Sequence, residues 1–292
     1  MKYIQKHPLI MIVIGVLGIS MSSIFVKFSS GPSDVTAAWR LIWTVVLMTP
    51  VVLGKNENRQ SLIGINKKTI ALCILSGLCL AAHFALWFES LHQTSVASST
   101  TIVSTEVIWV SLGFCLILRG KLSIKAMAAI AVTVGGSTLI AFGDSAEGSH
   151  LYGDFLALLA ALAVAAYMLI GKVVRANTST TFYTYLVYLV CAGVLLLLCT
   201  AQGHDLLSYG FSPVSAGFLL AVFSTILGHS IFSWCLGYFS PSFVSASKLC
   251  EPVMAAALAA LIFHEIPGPV QIAGCVLILS GVLFYSRLEK SR

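Results

Sequence analysis

Two stretches decide the fold: "LHQTSVASSTTIVSTEVIWV" at residues 91–110 and "LGYFSPSFVSASKLCEPVMA" at 236–255. A slide of 145 residues, the separation of Glu106 and Glu251, lays one on the other. Leu91 then meets Leu236, and Ser95 meets Ser240. The same slide brings Leu116-Ile117 onto Leu261-Ile262, Ala128 onto Ala273 and Gly136 onto Gly281. Upstream, "HFALW" (83–87) resembles "HSIFSW" (229–234), with one residue inserted. The order of features repeats: His and Trp, a hydroxyl-rich start, a glutamate, then a glycine-bearing helix. Such a repeat points to one architecture built twice.

The solvent for that architecture follows from composition. Of 292 residues, 58% are hydrophobic and 10% are charged, against roughly 25% charged in a soluble domain. Apolar runs bounded by charges or turn residues predict ten spans: 8–28, 34–53, 69–89, 94–118, 124–143, 153–174, 181–201, 215–238, 241–263 and 268–286. Each is near the roughly 20 residues that cross a bilayer as a helix. Five spans separate the copies, and five is odd, so the second copy lies upside down relative to the first. The expectation is an all-α membrane protein of ten transmembrane helices, arranged as two inverted five-helix repeats over residues 1–145 and 146–292. Inverted repeats of this kind belong to secondary transporters, whose sites lie near the midplane. The N-terminal run "MKYIQKHPLIMIVIGVLGISMSSIFVKF" is longer than a signal-peptide core and lacks a small-x-small cleavage site, so it reads as a retained first helix.

Orientation follows from the loops. With a cytoplasmic N-terminus, the inner loops hold Lys2, Lys6, Lys55, Arg59, Lys67, Lys68, Arg119, Lys121, Lys125, Lys172, Arg175, Arg287, Lys290 and Arg292. The outer loops hold Asp34, Glu89, Asp144, Glu147, Asp205 and Glu265, with no Lys or Arg. The positive-inside rule therefore places both termini in the cytoplasm and the chain in the cytoplasmic membrane. The net charge of +6 is then an inner-leaflet feature and not a nucleic-acid footprint. The eight cysteines all fall in apolar runs without CxxC spacing and read as small core residues.

Ionic residues remain within the spans. Glu106 and Glu251 fall midway along the fourth and ninth spans, with Lys248 one turn before Glu251. A charge at the bilayer centre costs about 2.5–3.5 kcal/mol on insertion scales. Lys248 and Glu251 are i,i+3 neighbours and can pair locally. Glu106 has no basic residue within a turn, so it is neutral, faces water, or pairs across helices with Lys248, Arg40 or Lys27. Arg40, inside "AAWRLIW", either snorkels to the outer interface, serves an outer gate or meets a solute carboxylate.

Eight hydroxyls precede Glu106, from Thr94 to Thr105 and including Ser99. They divide between back-bonding to the helix, gluing helices together and lining a wet cavity. His83 and Trp87 share a face of the third span; His229 lies on the eighth, where a hydrogen-bonded strut is the simpler role. Trp109, with Trp39 and Trp43, is a candidate to stack an aromatic solute, while a belt at the interface explains the latter two equally. The candidate solute-binding set is thus Glu106, Lys248, Glu251, His83, Trp87, Trp109, Ser99, Arg40 and His229. Glycines at 135, 136, 274 and 281 lie in apolar runs without a P-loop lysine and read as close helix contacts. "HEIPGP" (264–269) lacks the second His of a zinc protease, and GxSxG is absent.

"RLIWTVVLM" (40–48), "HFALWFESLHQTSVASST" (83–100), "GHSIFSWCLGYFSPSFVSASKLCEPVMAAALAALIFHE" (228–265) and "QIAGCVLILSGVLFYS" (271–286) resemble the drug/metabolite transporter superfamily, specifically its EamA-type ten-helix members. The first half carries Val107 and Gly120 where the second has Pro252 and Glu265. The resemblance implies a transporter of small metabolites, most often an exporter of amino acids, and not an enzyme. It calls for no cofactor. The expected partners are a small-molecule solute, the lipid bilayer and protons as candidate coupling ions, with the oligomeric state left open. The alternative from a different class is a membrane sensor or assembly subunit without turnover.

Overall fold

A computed structural model of the chain describes residues 8–54, 66–94, 96–144, 151–254, 257, 261 and 268–289. The side chains of 23, 27, 96–98 and 141–144 also lie outside the described set. So do several sequence expectations: most of the second half of the ninth span, the "HEIP" segment, and the loop charges at Lys2, Lys6, Lys55, Arg59, Glu147, Glu265, Lys290 and Arg292.

The described residues form helices and turns. They are α1 (Pro8–Ser20), α2 (Ser22–Lys27), α3 (Ser33–Leu53), α4 (Lys67–Gln93), α5 (Val96–Ser104), α6 (Glu106–Leu116), α7 (Ile124–Asp144), α8 (Leu151–Arg175) and α9 (Thr180–Ala201). Then follow α10 (Phe211–Leu219), a π-helix (Leu220–His229), α11 (Ser230–Cys235), α12 (Pro241–Lys248) and α13 (Pro269–Leu288). Among the described residues, eight helical stretches are long and apolar enough to cross a membrane, and Ile124–Ile140 is a shorter apolar helix. The sequence expectation of ten spans maps onto these: α1–α2 form the first span, α5–α6 the fourth, α10 through α11 the eighth, and α12 opens the ninth.

Packing obeys an exchange rule. The third span (α4) packs on the sixth (α8), and the first packs on the eighth. The second (α3) packs on the eighth, and the seventh (α9) packs on the third. The second also meets the seventh, the fourth meets the ninth, and the fifth (α7) meets the tenth (α13). Advancing every span by five returns the same list, which is a two-fold relation between the repeats.

The direction of that two-fold is fixed by glycine contacts. A Cβ on Gly136 would lie 2.8 Å from the Gly274 carbonyl, and one on Gly281 would lie 3.0 Å from the Ala129 carbonyl. As numbers rise along α7 they fall along α13, so the fifth spans of the two repeats run antiparallel. The first and eighth spans do the same: Gly15 sits under Phe232, and Gly18 against Leu227 and Phe223. These are small-residue contacts that let backbones touch in lipid, where apolar side chains gain nothing by leaving hydrocarbon. The two repeats are inverted. The outward faces carry exposed large apolar side chains, including Leu116, Ile124, Leu197 and Phe211, which suits contact with lipid rather than water.

The ends of the bundle differ in charge. One end carries Lys67, Lys68, Arg119, Lys121, Lys125, Lys172, Arg175 and Arg287. There Lys172 Nζ donates to the carbonyls of Leu236 (2.7 Å) and Phe239 (2.8 Å), and Arg175 Nε donates to that of Ser233 (3.2 Å). Cations thus close the C-terminal end of the eighth span, where the helix dipole favours them. The other end carries Asp34, Glu89, Asp154 and Asp205. Asp34 pairs with His204 at 2.7 Å, tying the start of α3 to the loop after α9. Asp205 accepts the Leu207 amide (3.1 Å) and the Ser208 hydroxyl (2.8 Å). Those two bonds hold its carboxyl below the usual range, so Asp205 stays charged to lower pH than a free aspartate.

Candidate functional site

The fourth span is not one helix. It breaks at Thr105, where the amide bonds to Ile102 (3.0 Å) and its carbonyl accepts from Ile108 (2.9 Å), both three residues away. Local hydroxyls favour this tightened turn: Ser104 donates to the Thr100 carbonyl (2.7 Å) and Thr105 to that of Ile102 (2.6 Å). Glu106 is the first residue of the new helix. The ninth span breaks at the matching place. α12 ends at Lys248, residues 249 and 250 form a turn, and helix resumes at Glu251. Leu249 and Cys250 again bond three residues back, to Ala246 (3.1 Å) and Ser247 (3.2 Å). Pro252 falls in the first turn of the resumed helix, where its missing N–H costs nothing. Each glutamate therefore opens a half-helix, whose dipole end favours negative charge.

The two breaks face one another. Lys248 Nζ donates to Glu106 Oε1 at 2.6 Å, and the Ser245 hydroxyl donates to the same oxygen at 3.1 Å. The local Lys248–Glu251 pair that the spacing allowed is not what forms. The cross-helix alternative is realised, and it joins the repeats. Glu106 is buried, with a side-chain exposure of 6%. A buried ion tolerates that only with a close counter-charge and further hydrogen bonds, and Lys248, Ser245 and the half-helix end supply both.

Beside this pair lies a cavity of about 80 Å³, space for several waters by the volume one water needs. Seven of the sequence candidates line it: Glu106, Lys248, Glu251, His83, Trp87, Arg40 and His229. Arg40 does not snorkel to the interface. It is 1% exposed, stacks its guanidinium 4.4 Å from the centre of the Phe84 ring and donates from Nε to Thr225 Oγ1 at 2.7 Å. Thr225 sits within the ten-residue π-helix Leu220–His229, the wider turn that recurs at functional sites. His83 Nδ1 lies 3.0 Å from the Ala160 carbonyl, so the geometry assigns the proton to Nδ1 and leaves Nε2 as an acceptor. Its ring stacks on Trp87 with centroids 6.0 Å apart. His229 presents its ring edgewise to Phe84 at 5.5 Å.

Ser99 and Trp109 lie outside the lining. The Ser99 hydroxyl is buried against that of Ser90, and Trp109 Nε1 donates to Thr105 Oγ1 at 3.3 Å, bracing the break. Trp39 and Trp43 are also pinned, to the carbonyls of Leu206 and Val214, both at 3.1 Å. Sequence reasoning missed Phe84, Ser224, Thr225 and Ser245. Ser245 sits three residues before Lys248, and that helical spacing was a usable signal. Nothing in the sequence marks the π-helix that aims Thr225 at Arg40.

Comparison with known proteins extends these observations. The profile of the EamA-like transporter family matches twice, over residues 7–142 and 151–287. A relative from Escherichia coli (strain K12), the "Probable amino-acid metabolite efflux pump", is 27% identical over 169 residues, covering 54% of this chain and 56% of its own length. The match thus spans little more than half of that relative. One crystal structure of another protein superposes with a TM-score of 0.78 over 97% of both chains at 14% identity, a likeness of fold alone. With two matched repeats, inverted packing and a polar cavity where the broken helices meet, the chain is a multi-pass membrane protein that belongs to the EamA-like transporter family.

Proposed function

We propose that this protein is a secondary carrier that exports amino acids or closely related small metabolites across the cytoplasmic membrane by alternating access. The observation that carries the reading is the Lys248–Glu106 ion pair, which bridges the broken fourth and ninth spans on the wall of the cavity. An ion pair between inverted repeats is a contact that rocking of one repeat against the other makes and breaks. Solute entering from either face meets the same polar wall. The two intramembrane carboxyls, Glu106 and Glu251, are the candidates for exchanging a proton during the cycle. The name of the Escherichia coli relative supports export of amino-acid metabolites. The separation of basic and acidic ends supports cytoplasmic termini, with repeats divided near residues 145 and 146.

The test is flux in proteoliposomes loaded with a labelled panel of amino acids, organic acids, amines and nucleosides, with and without an imposed pH gradient. Wild-type protein is expected to move at least one solute class. Glu106→Gln is expected to slow that flux by about tenfold or more, in the range of a lost transition-state interaction, while eluting as a folded species. Wild-type flux in Glu106→Gln at every pH would remove Glu106 from the mechanism.

A further inference from the structure

Among the described residues, four charged side chains line the cavity: Arg40, Lys248, Glu106 and Glu251. Lys248 and Glu106 neutralise one another at 2.6 Å. The remaining two are left over. Arg40 spends its Nε–H on Thr225 and one face on Phe84. Its terminal nitrogens have no partner among the described residues, and the side chain forms part of the cavity wall. The Glu251 carboxylate has no ion-pair or hydrogen-bond partner among the described residues either, and it lies within electrostatic reach of Lys248 first and then of Arg40 without forming an ion pair with either. Two buried polar atoms on the same wall also lack partners: Trp87 Nε1 and Ser224 Oγ. Buried polar groups without partners are uncommon and call for an explanation.

We propose that Arg40 and Glu251 form a two-point receptor for a zwitterionic solute, with the solute carboxylate on the Arg40 fork and its ammonium on Glu251. The proposal rests on the transport reading above and deepens it by assigning the ends of the solute. The guanidinium fork matches a carboxylate with two parallel hydrogen bonds, and the Phe84 ring fixes the plane of the fork in advance. Glu251, at the start of a half-helix, is placed to accept from an ammonium. Leaving either ion without a counter-charge is costly in a low-dielectric site. A zwitterion satisfies both ions at once. A simple acid satisfies only Arg40, and a simple amine only Glu251. Lys248, already engaged by Glu106, is not the carboxylate receptor.

The experiment is competition in proteoliposomes. Labelled leucine, phenylalanine and serine are each challenged with their amides, which lack the carboxylate, and their N-acetyl forms, which lack the ammonium. Wild-type protein is expected to prefer each transported zwitterion over both analogues by at least about tenfold, as sites built around a hydrogen-bonded group reject ligands without it. Arg40→Gln is expected to abolish the preference over the amide and keep that over the N-acetyl form. Glu251→Gln is expected to do the reverse. Arg40→Lys keeps the charge without the fork and substitutes if Arg40→Gln does not fold. The wild-type analogue series stands without any variant. The proposal is overturned if wild type takes the amide or the N-acetyl form within about threefold of the zwitterion, or if a variant relaxes the opposite preference. Wild type that moves acids or amines but no zwitterion overturns this proposal and leaves the transport reading standing. Wild type that moves no solute at all overturns both.

Discussion

At the scale of single residues, the ion pair between Lys248 and Glu106 is more than a stabilising contact. Removing one member of a buried pair leaves the other charged and alone, which costs about 3 kcal/mol or more. Lys248→Met is therefore expected to lower unfolding stability by about that amount in SDS titration from mixed micelles. Glu106→Gln with Lys248→Met leaves no charge stranded and should recover most of the loss, because the uncompensated buried charge is what makes the single change costly. Flux should stay low in the double variant. If stability and flux recover together, the pair serves the fold and not the cargo. The sequence exposed the need for such a pair, since Glu106 has no base within a turn. It did not select the partner. Lys248 is one turn from Glu251 and 142 positions from Glu106, and local spacing favours the nearer carboxylate. What decides is the face on which the break at 249–250 leaves Lys248, and that is a property of backbone geometry.

At the scale of elements, adjacent glycines separate packing from propensity. The added Cβ at Gly136 meets backbone of the tenth span: the Gly274 carbonyl at 2.8 Å and the Ile278 amide at 2.9 Å. Neither atom can yield like a side chain, so Gly136→Val must part the fifth and tenth spans. A loss of about 1–3 kcal/mol, the usual range for overpacking, is expected in the same SDS titration. Gly135 has nothing within 4 Å of an added Cβ. Gly135→Ala is thus expected to be neutral or to stabilise by up to about 1 kcal/mol through helix propensity. Equal effects at the two sites would place the helix contact elsewhere. The glycine pattern was legible in the sequence as close packing, and so were the span positions, because apolar length is a strong signal in a bilayer. The broken fourth span was harder to read. Its hydroxyls announced a polar element, but whether a hydroxyl bonds back to its own helix or faces a cavity depends on one rotamer. The π-helix at Leu220–His229 left no trace in composition.

At the scale of the whole molecule, inversion and orientation are separate questions. Antiparallel contacts between α7 and α13 establish that the repeats are inverted, but they are blind to which end meets the cytoplasm. Charge distinguishes the ends. Lys67, Lys68, Arg119, Lys121, Lys125, Lys172, Arg175 and Arg287 gather at one end, and Asp34, Glu89, Asp154 and Asp205 at the other. Insertion retains short basic loops in the cytoplasm. A cysteine replacing exposed Leu207, in the acidic-end loop, should therefore react in intact cells with a membrane-impermeant maleimide. A cysteine replacing Lys68, at the basic end, should react only after the membrane is opened. The native cysteines make a quiet background, since Cys73, Cys191, Cys199 and Cys235 are buried, Cys79, Cys115 and Cys275 sit in apolar helices, and Cys250 lies half-buried in the turn that breaks the ninth span. Labelling of Lys68→Cys from outside, with Leu207→Cys protected, would reverse the bundle in the membrane. The cavity and its ion pair would be untouched by that reversal, and only the direction assigned to export would have to change.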